Sequence, residues 1–298
     1  MGMRTLVTGC NGQLGTAVRE LVERDRASED FDFCDIDTFD MGDSAAYGQY
    51  DWDRYDTVVN CGAFTAVDAA ETAEGRVTCW RANATGPALL SRTCAEHKIT
   101  LVHVSSDYVF DGTRKLHDES EPLSPLSVYG QSKAAGDLAV SCCPRHYILR
   151  SSWVVGRGKN FVKTMKMLSD RCADPEDGLD HVTVVSDQQG RLTFADQMAV
   201  AIFHLLDVQA PYGIYDMTGS GSVKSWADIA RATFEAANGN GAAVIPVSTS
   251  EYYAGASGPI APRPRHSALS LNKLAATGFV PRDWEEELAE YLEELMSA

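Results

Sequence analysis

The chain has 298 residues, 44% of them hydrophobic and 23% charged, with a net charge of −16. That length suits a large domain joined to a smaller one. No apolar run approaches the ~20 residues needed to span a bilayer, and no basic face of the kind that binds nucleic acid is evident, so neither a membrane nor a nucleic acid is expected as a partner. The acidity reads as solubility and leaves room for a local anion site.

Met1-Gly2-Met3-Arg4 runs straight into an apolar strand with no basic-then-apolar leader, so no secretory signal is expected. Leu6 stands where a myristoylation signal at Gly2 would need Ser or Thr. The cysteines at 10, 34, 61, 79, 94, 142, 143 and 172 form no Cys-x-x-Cys pair and no zinc spacing. Reduced, mostly buried thiols in a cytoplasmic setting are the expectation.

In chain order, Thr5-Leu6-Val7 predicts a first strand, 15–23 a helix with Val18, Leu21 and Val22 on one face, and 31–34 a second strand. Strands follow at 57–60, 101–104 and 147–150, with helices at 84–96 and about 127–141 between them. Alternating strands and helices imply β-α-β crossovers and a parallel sheet. Further on, 182–185 reads as a strand, 194–206 as a helix and 283–296 as an acidic amphipathic helix. Ser225 and Asp228 can cap another helix, and 255–265 is a Gly/Pro-rich loop. The predicted architecture is α/β: a Rossmann-type doubly wound parallel sheet with a smaller C-terminal substrate-binding domain. Residues 1–150, with a return of about 182–212, would form the dinucleotide domain; 151–181 and 213–298 would form the substrate lobe.

Gly9, Gly12 and Gly15 follow the first strand and open the first helix. Glycines there let backbone turn tightly against a pyrophosphate, and the helix start offers free amides and partial positive charge. The spacing is Gly-x-x-Gly-x-x-Gly rather than the usual dinucleotide fingerprint. Asp35, just past the second strand, can bind the adenosine ribose hydroxyls and would repel a 2′-phosphate; Asp37 competes for that role. NADH or NADPH is the expected cofactor, with Asp35 leaning towards NADH.

Tyr129 and Lys133 lie four residues apart, on one face of a helix. An ammonium beside a phenol favours the phenolate and lowers its pKa, so Tyr129 could pass a proton to a carbonyl oxygen. Ser105 and Ser106 end a strand at the carboxyl edge of the sheet; of the two, Ser106 is taken as the group that polarises that carbonyl. The order of glycine loop, strand-end serine, tyrosine and lysine points to a reductase.

These motifs resemble extended short-chain dehydrogenases and, more closely, the dTDP-4-dehydrorhamnose reductase family. The resemblance rests on 7–15, 60–68, 105–112 and 129–133, and downstream on 149–153, 160–162, 187–190, Arg263-Pro264, 271–274 and 281–284. It implies reduction of the C4 ketone of dTDP-4-dehydro-L-rhamnose, a dTDP-sugar substrate. By position it implies that Gly12, Gln13 and Leu14 line the pyrophosphate, that Asp40 and Met41 contact adenine, and that Cys61, Gly62, Ala63 and Thr65 border the cofactor. Trp153 would pack on the substrate and Arg263 would meet its diphosphate. The sequence departs from the family at Ser106, usually Thr, at Cys61-Gly62, usually alanines, and at 191–193, which shapes the substrate side. Some members dimerise through magnesium held by glutamates. Ala17 stands at one such position, so no metal is carried over, and a homodimer is an expectation only. A reductase or epimerase of another nucleotide sugar, and a non-catalytic subunit resembling the regulatory β subunit of methionine adenosyltransferase, are the alternatives.

Overall fold

The computed structural model describes residues 4–27 and 29–297; the readings placed on Met1 to Met3 lie outside them. Six parallel strands form the central sheet: β1 (Arg4–Thr8), β2 (Asp30–Cys34), β3 (Thr57–Asn60), β4 (Thr100–Ser106), β5 (His146–Ser151) and β6 (Gly213–Asp216), in the order β6-β5-β4-β3-β1-β2. β3 is buried at every residue, as a strand covered by helices on both faces must be. The chain leaves β1 for β2 on one side and crosses to β3 on the other. The carboxyl ends of β1 and β3 therefore diverge into a crevice, where open α/β sheets bind ligands.

Helix α1 (Gln13–Asp25) turns Leu14, Val18, Leu21 and Val22 onto this sheet and packs beside α6 (Ala195–Asp207). The expected helix at 84–96 is part of a longer rod. α2 (Ala73–Trp80) runs through a wide π-turn at Arg81–Thr85 into α3 (Gly86–His97). Pro87 explains the widening: it lacks an amide donor and crowds the carbonyl four residues back, at Asn83. α4 (Val128–Val140) starts where the Ser127 hydroxyl accepts from the Gly130 amide at 3.1 Å.

The expected return to the sheet is displaced. Val182–Val185 pairs with Val244–Val247 in a separate two-stranded sheet, and the stretch that rejoins the main sheet is α6 followed by β6. Leu274 and Phe279 also join the main core, so parts of 213–298 pack on the dinucleotide-binding side. A four-residue valine-rich run has no signature of its partner, which lies about sixty residues away in sequence. The lobe proper is built on α5 (Phe161–Ala173), α7 (Trp226–Asn238) and the helix Trp284–Ser297. Ser225 and Asp228 cap α7 reciprocally, as their spacing predicts. No helix among the described residues is long and apolar enough to cross a membrane.

Candidate active site

A cleft of about 750 Å³ opens at the carboxyl ends of β1, β3 and β4. The turn after β1 forms one wall. Gly9 has φ +67°, and a Cβ there would lie 2.4 Å from the Gly62 amide. A Cβ on Gly15 would lie 2.2 Å from the Gly9 carbonyl. These two glycines shape the turn, while Gly12 faces the cleft as the N-cap of α1 with no side-chain cap. The first amides of α1 thus open towards the cleft. The Gln13 Oε1 atom beside them is shielded from solvent and has no hydrogen-bond partner. A Cβ-free cradle and open helix amides fit the acceptor oxygens of a dinucleotide pyrophosphate, whereas the unpaired Gln13 Oε1, itself an acceptor, calls for a donor.

Asp35 sits at the mouth, where one carboxylate oxygen accepts from the Asn11 amide at 2.8 Å and the other from the Ile36 amide at 2.8 Å. Its first task is to hold the glycine turn against β2. Cys61, Gly62, Ala63 and Thr65 line the edge beyond β3. Beneath them, Asn60 Oδ1 accepts from Thr8 Oγ1 at 2.8 Å and from the Gly62 amide at 3.1 Å. The Asn60 amide group must therefore donate to His103 Nδ1, 3.0 Å away. Burial and the Lys133 charge hold His103 well below its usual pKa, so it is neutral with its proton on Nε2.

Ser106, Tyr129 and Lys133 converge on the opposite wall. Ser106 Oγ donates to Asp107 Oδ1 at 3.0 Å and accepts from the Tyr108 amide at 3.2 Å. Ser105 also borders the cleft, but its hydroxyl is buried and unpartnered. Tyr129 meets Tyr108 edge-on, ring centroids 5.4 Å apart. Lys133 is only 2% exposed and donates to the Val104 carbonyl at 2.6 Å. Burial pushes its pKa down to about 8, with the Asp137 charge opposing.

The phenol departs from expectation. Burial pushes Tyr129 above its usual value, and the nearby Ser106 hydroxyl only partly offsets this. The Lys133 ammonium is committed to a backbone carbonyl, so the phenol keeps its proton.

Trp153 lies in the cleft with φ +52°, a left-handed conformation that costs a bulky residue energy. Stacking on Trp226 at 3.8 Å between centroids helps to hold it there. Asp40, Met41 and Arg263 are not brought to the cleft lining. Asp40 pairs with Arg81 at 2.6 Å. Met41 packs against Gly62, just past β3, and against Gly86 at the start of α3. Arg263, expected at a diphosphate, instead donates to Asp68 Oδ2 at 2.7 Å and to the Ala261 carbonyl at 2.9 Å, and lies over the Tyr253 ring. An available carboxylate outcompetes solvent for a planar fork of donors.

Four residues of the site carried no earlier assignment. Asp107 lies inside 105–112, one of the stretches that carry the resemblance, and burial pushes it up to about 6. Asn83 projects from the π-turn. Its Oδ1 accepts from the Phe64 amide at 2.9 Å, and its Nδ2 donates to the Phe64 carbonyl at 3.0 Å and to Ser132 Oγ at 3.1 Å, tying the turn after β3 to α4. Arg157 and Lys159 line the cleft beside the glycine turn. Their signal in the sequence was a close pair of cations in an acidic chain.

The doubly wound sheet, its glycine cradle and the serine–tyrosine–lysine wall define a nicotinamide-dependent oxidoreductase of the extended short-chain dehydrogenase class. Comparison with known proteins narrows this. The chain belongs to the family described as RmlD substrate binding domain, which matches residues 3–297. It is 34% identical to a dTDP-4-dehydrorhamnose reductase of Aggregatibacter actinomycetemcomitans, over 96% of this chain and 97% of the relative. It is also 34% identical to a probable dTDP-4,6-dihydroxy-2-methyloxan-3-one 4-ketoreductase of Streptomyces antibioticus, over 99% and 97%. The solved dTDP-4-dehydrorhamnose reductase of Bacillus anthracis, in complex with NADP, superposes with a TM-score of 0.86 at 32% identity, covering 99% of this chain and all of that one.

Proposed function

We propose that this chain reduces the C4 ketone of dTDP-4-dehydro-L-rhamnose to dTDP-L-rhamnose, using NADPH or NADH. The observation that carries this reading is the meeting of Ser106, Tyr129 and Lys133 in one cleft with the glycine turn, in a chain so similar to named reductases of that ketone. When bound, the reduced nicotinamide supplies a hydride equivalent to the carbonyl carbon. The protein's task lies at the carbonyl oxygen. Ser106 turns its hydroxyl from Asp107 to the oxygen and stabilises the negative charge that grows there. Tyr129, kept protonated by burial, delivers the proton. Lys133 orients the cofactor's ribose and places positive charge under the forming phenolate. Trp153 covers the sugar side, and Arg263 exchanges Asp68 for the substrate diphosphate.

The experiment is to follow oxidation of NADPH, and separately NADH, with dTDP-4-dehydro-L-rhamnose and identify the product. Tyr129→Phe should lower kcat by about 10³-fold or more, within the range for loss of a positioned proton donor, and leave dinucleotide affinity within twofold. Near-normal turnover in that variant would remove Tyr129 from the mechanism. The NADH/NADPH ratio tests Asp35, whose carboxylate should disfavour a 2′-phosphate. A second reading, reduction of a different dTDP-keto sugar, is favoured by the equal identity to the Streptomyces antibioticus ketoreductase. It predicts higher kcat/KM for that other ketone in the same assay.

A further inference from the structure

We propose that Arg157-Gly158-Lys159 is a cationic strap that binds a diphosphate beside the glycine turn. This rests on the dinucleotide and sugar-nucleotide reading above, since both ligands carry a diphosphate. A chain of net charge −16 repels such ligands at long range. The helix amides at Gln13 and Leu14 give the site only partial positive charge. Lys133, the other cation lining the cleft, is buried and committed to the Val104 carbonyl. Full positive charge beside the glycine turn therefore comes from Arg157 and Lys159, both exposed and both lining the cleft.

Their anchorage suits the task. Gly156, at the root of the strap, packs directly on Gln13: a Cβ there would lie 3.4 Å from Gln13 Cβ. The Gly156 carbonyl accepts from Asn160 Nδ2 at 2.8 Å and from the Tyr291 hydroxyl at 2.9 Å, which fixes the root. Asn160 also caps α5 through the Lys163 amide. Beyond this fixed base, Gly158 (φ +88°) stands in open space, where even an added Cβ would meet nothing within 4 Å. In this structure Arg157 is parked on Glu20 of α1 at 2.5 Å, an exposed pair that is weakly held. A diphosphate carries more charge than one carboxylate and takes bidentate donation from the guanidinium. Glu20 is thus a competitor that releases Arg157 when the ligand arrives. The packing of Gly156 on Gln13 places the strap against the phosphate-binding end of α1. This favours the dinucleotide's pyrophosphate over the sugar nucleotide's diphosphate.

The test is calorimetric titration of the full chain with ADP-ribose, with NADPH and with dTDP, at about 20 mM and at about 500 mM salt. Arg157→Gln/Lys159→Gln should weaken ADP-ribose and NADPH about tenfold at low salt, and about twofold at high salt where exposed charges are screened, with dTDP unchanged. Weakening of dTDP alone would keep the strap but assign it to the sugar nucleotide. Glu20→Gln should tighten the same ligand two- to threefold, which a merely disordered loop cannot do. Unchanged affinity of the double variant for all three ligands at low salt would overturn the proposal.

Discussion

Replacing Lys133 by methionine should change stability by an amount that depends on pH in a defined window. Lys133 is 2% exposed, and burial takes its pKa from 10.5 to about 8. Because the folded value lies below the unfolded one, the native chain is penalised for holding a buried ammonium at pH 7. Between about 8 and 10.5 the unfolded state binds one more proton than the folded state, so native stability gains with rising pH. At about 1.4 kcal/mol per pH unit, the full effect is about 3 kcal/mol. Methionine fills similar volume without the charge, but loses the hydrogen bond to the Val104 carbonyl, about 1–2 kcal/mol at any pH. The variant should thus be more stable than the native chain by about 1–2 kcal/mol at pH 7, and less stable by a similar amount above pH 10.5. Urea unfolding of both proteins between pH 7 and 10.5 measures this, and the pH-independent packing terms cancel in the comparison. Turnover should be lost throughout. A stability difference that stays flat within about 1 kcal/mol would refute the argument that Lys133 is held in the protein at the expense of its charge.

Asp107→Asn mirrors this case. Burial raises the Asp107 carboxyl from 3.8 to about 6, so native stability falls as pH rises through that window. The variant should be relatively more stable at pH 7 than at pH 3.5, by about 2–3 kcal/mol, in thermal melts at the two pH values. Gly15→Ala would force a Cβ to within 2.2 Å of the Gly9 carbonyl. It should cost about 1–3 kcal/mol and weaken NADPH more than tenfold by titration, and unchanged NADPH affinity would show that the turn does not form the cradle. Asp68→Ala removes both the Arg263 partner and the acceptor of the Ala261 amide. Limited proteolysis should then cut within 255–265 several times faster, while the melting temperature moves little because Asp68 is itself half exposed and Arg263 keeps the Ala261 carbonyl and the Tyr253 ring.

The central sheet was legible because parallel strands buried on both faces are rich in apolar residues, and 5–7, 57–60, 101–104 and 147–150 each hold an adjacent apolar pair, Leu6-Val7, Val58-Val59, Leu101-Val102 and Ile148-Leu149. The glycine turn was legible because only glycine tolerates the approach of Gly9 to Gly62. The lobe was not, since nothing in Val182–Val185 indicates Val244–Val247 as its partner. Nor could sequence place the polar side chains of loops. Arg263 is a donor fork wherever it stands, and only the folded chain brings Asp68, about two hundred positions earlier, within its reach. The buried pair of Arg150 with Asp137 escaped for the same reason: each residue reads as ordinary polarity until α4 and β5 are packed together.

The same limit explains the reversed expectation for Tyr129. From spacing alone, a lysine one turn away lowers a phenol's pKa; in the folded chain the ammonium is turned to Val104, and desolvation dominates both groups. Burial then moves the two in opposite directions for one reason, since it disfavours whichever form is charged. A phenol that keeps its proton suits the reductive direction, where the acid must stay loaded until negative charge appears on the substrate oxygen. An ammonium that gives up its proton at about 8 suits it less, because the charge under the forming phenolate fades as pH rises. Reduction should therefore weaken on the alkaline side through Lys133 before Tyr129 itself titrates, and the pKa on that limb should approach the ordinary lysine value in a variant that admits water to α4 beside Lys133.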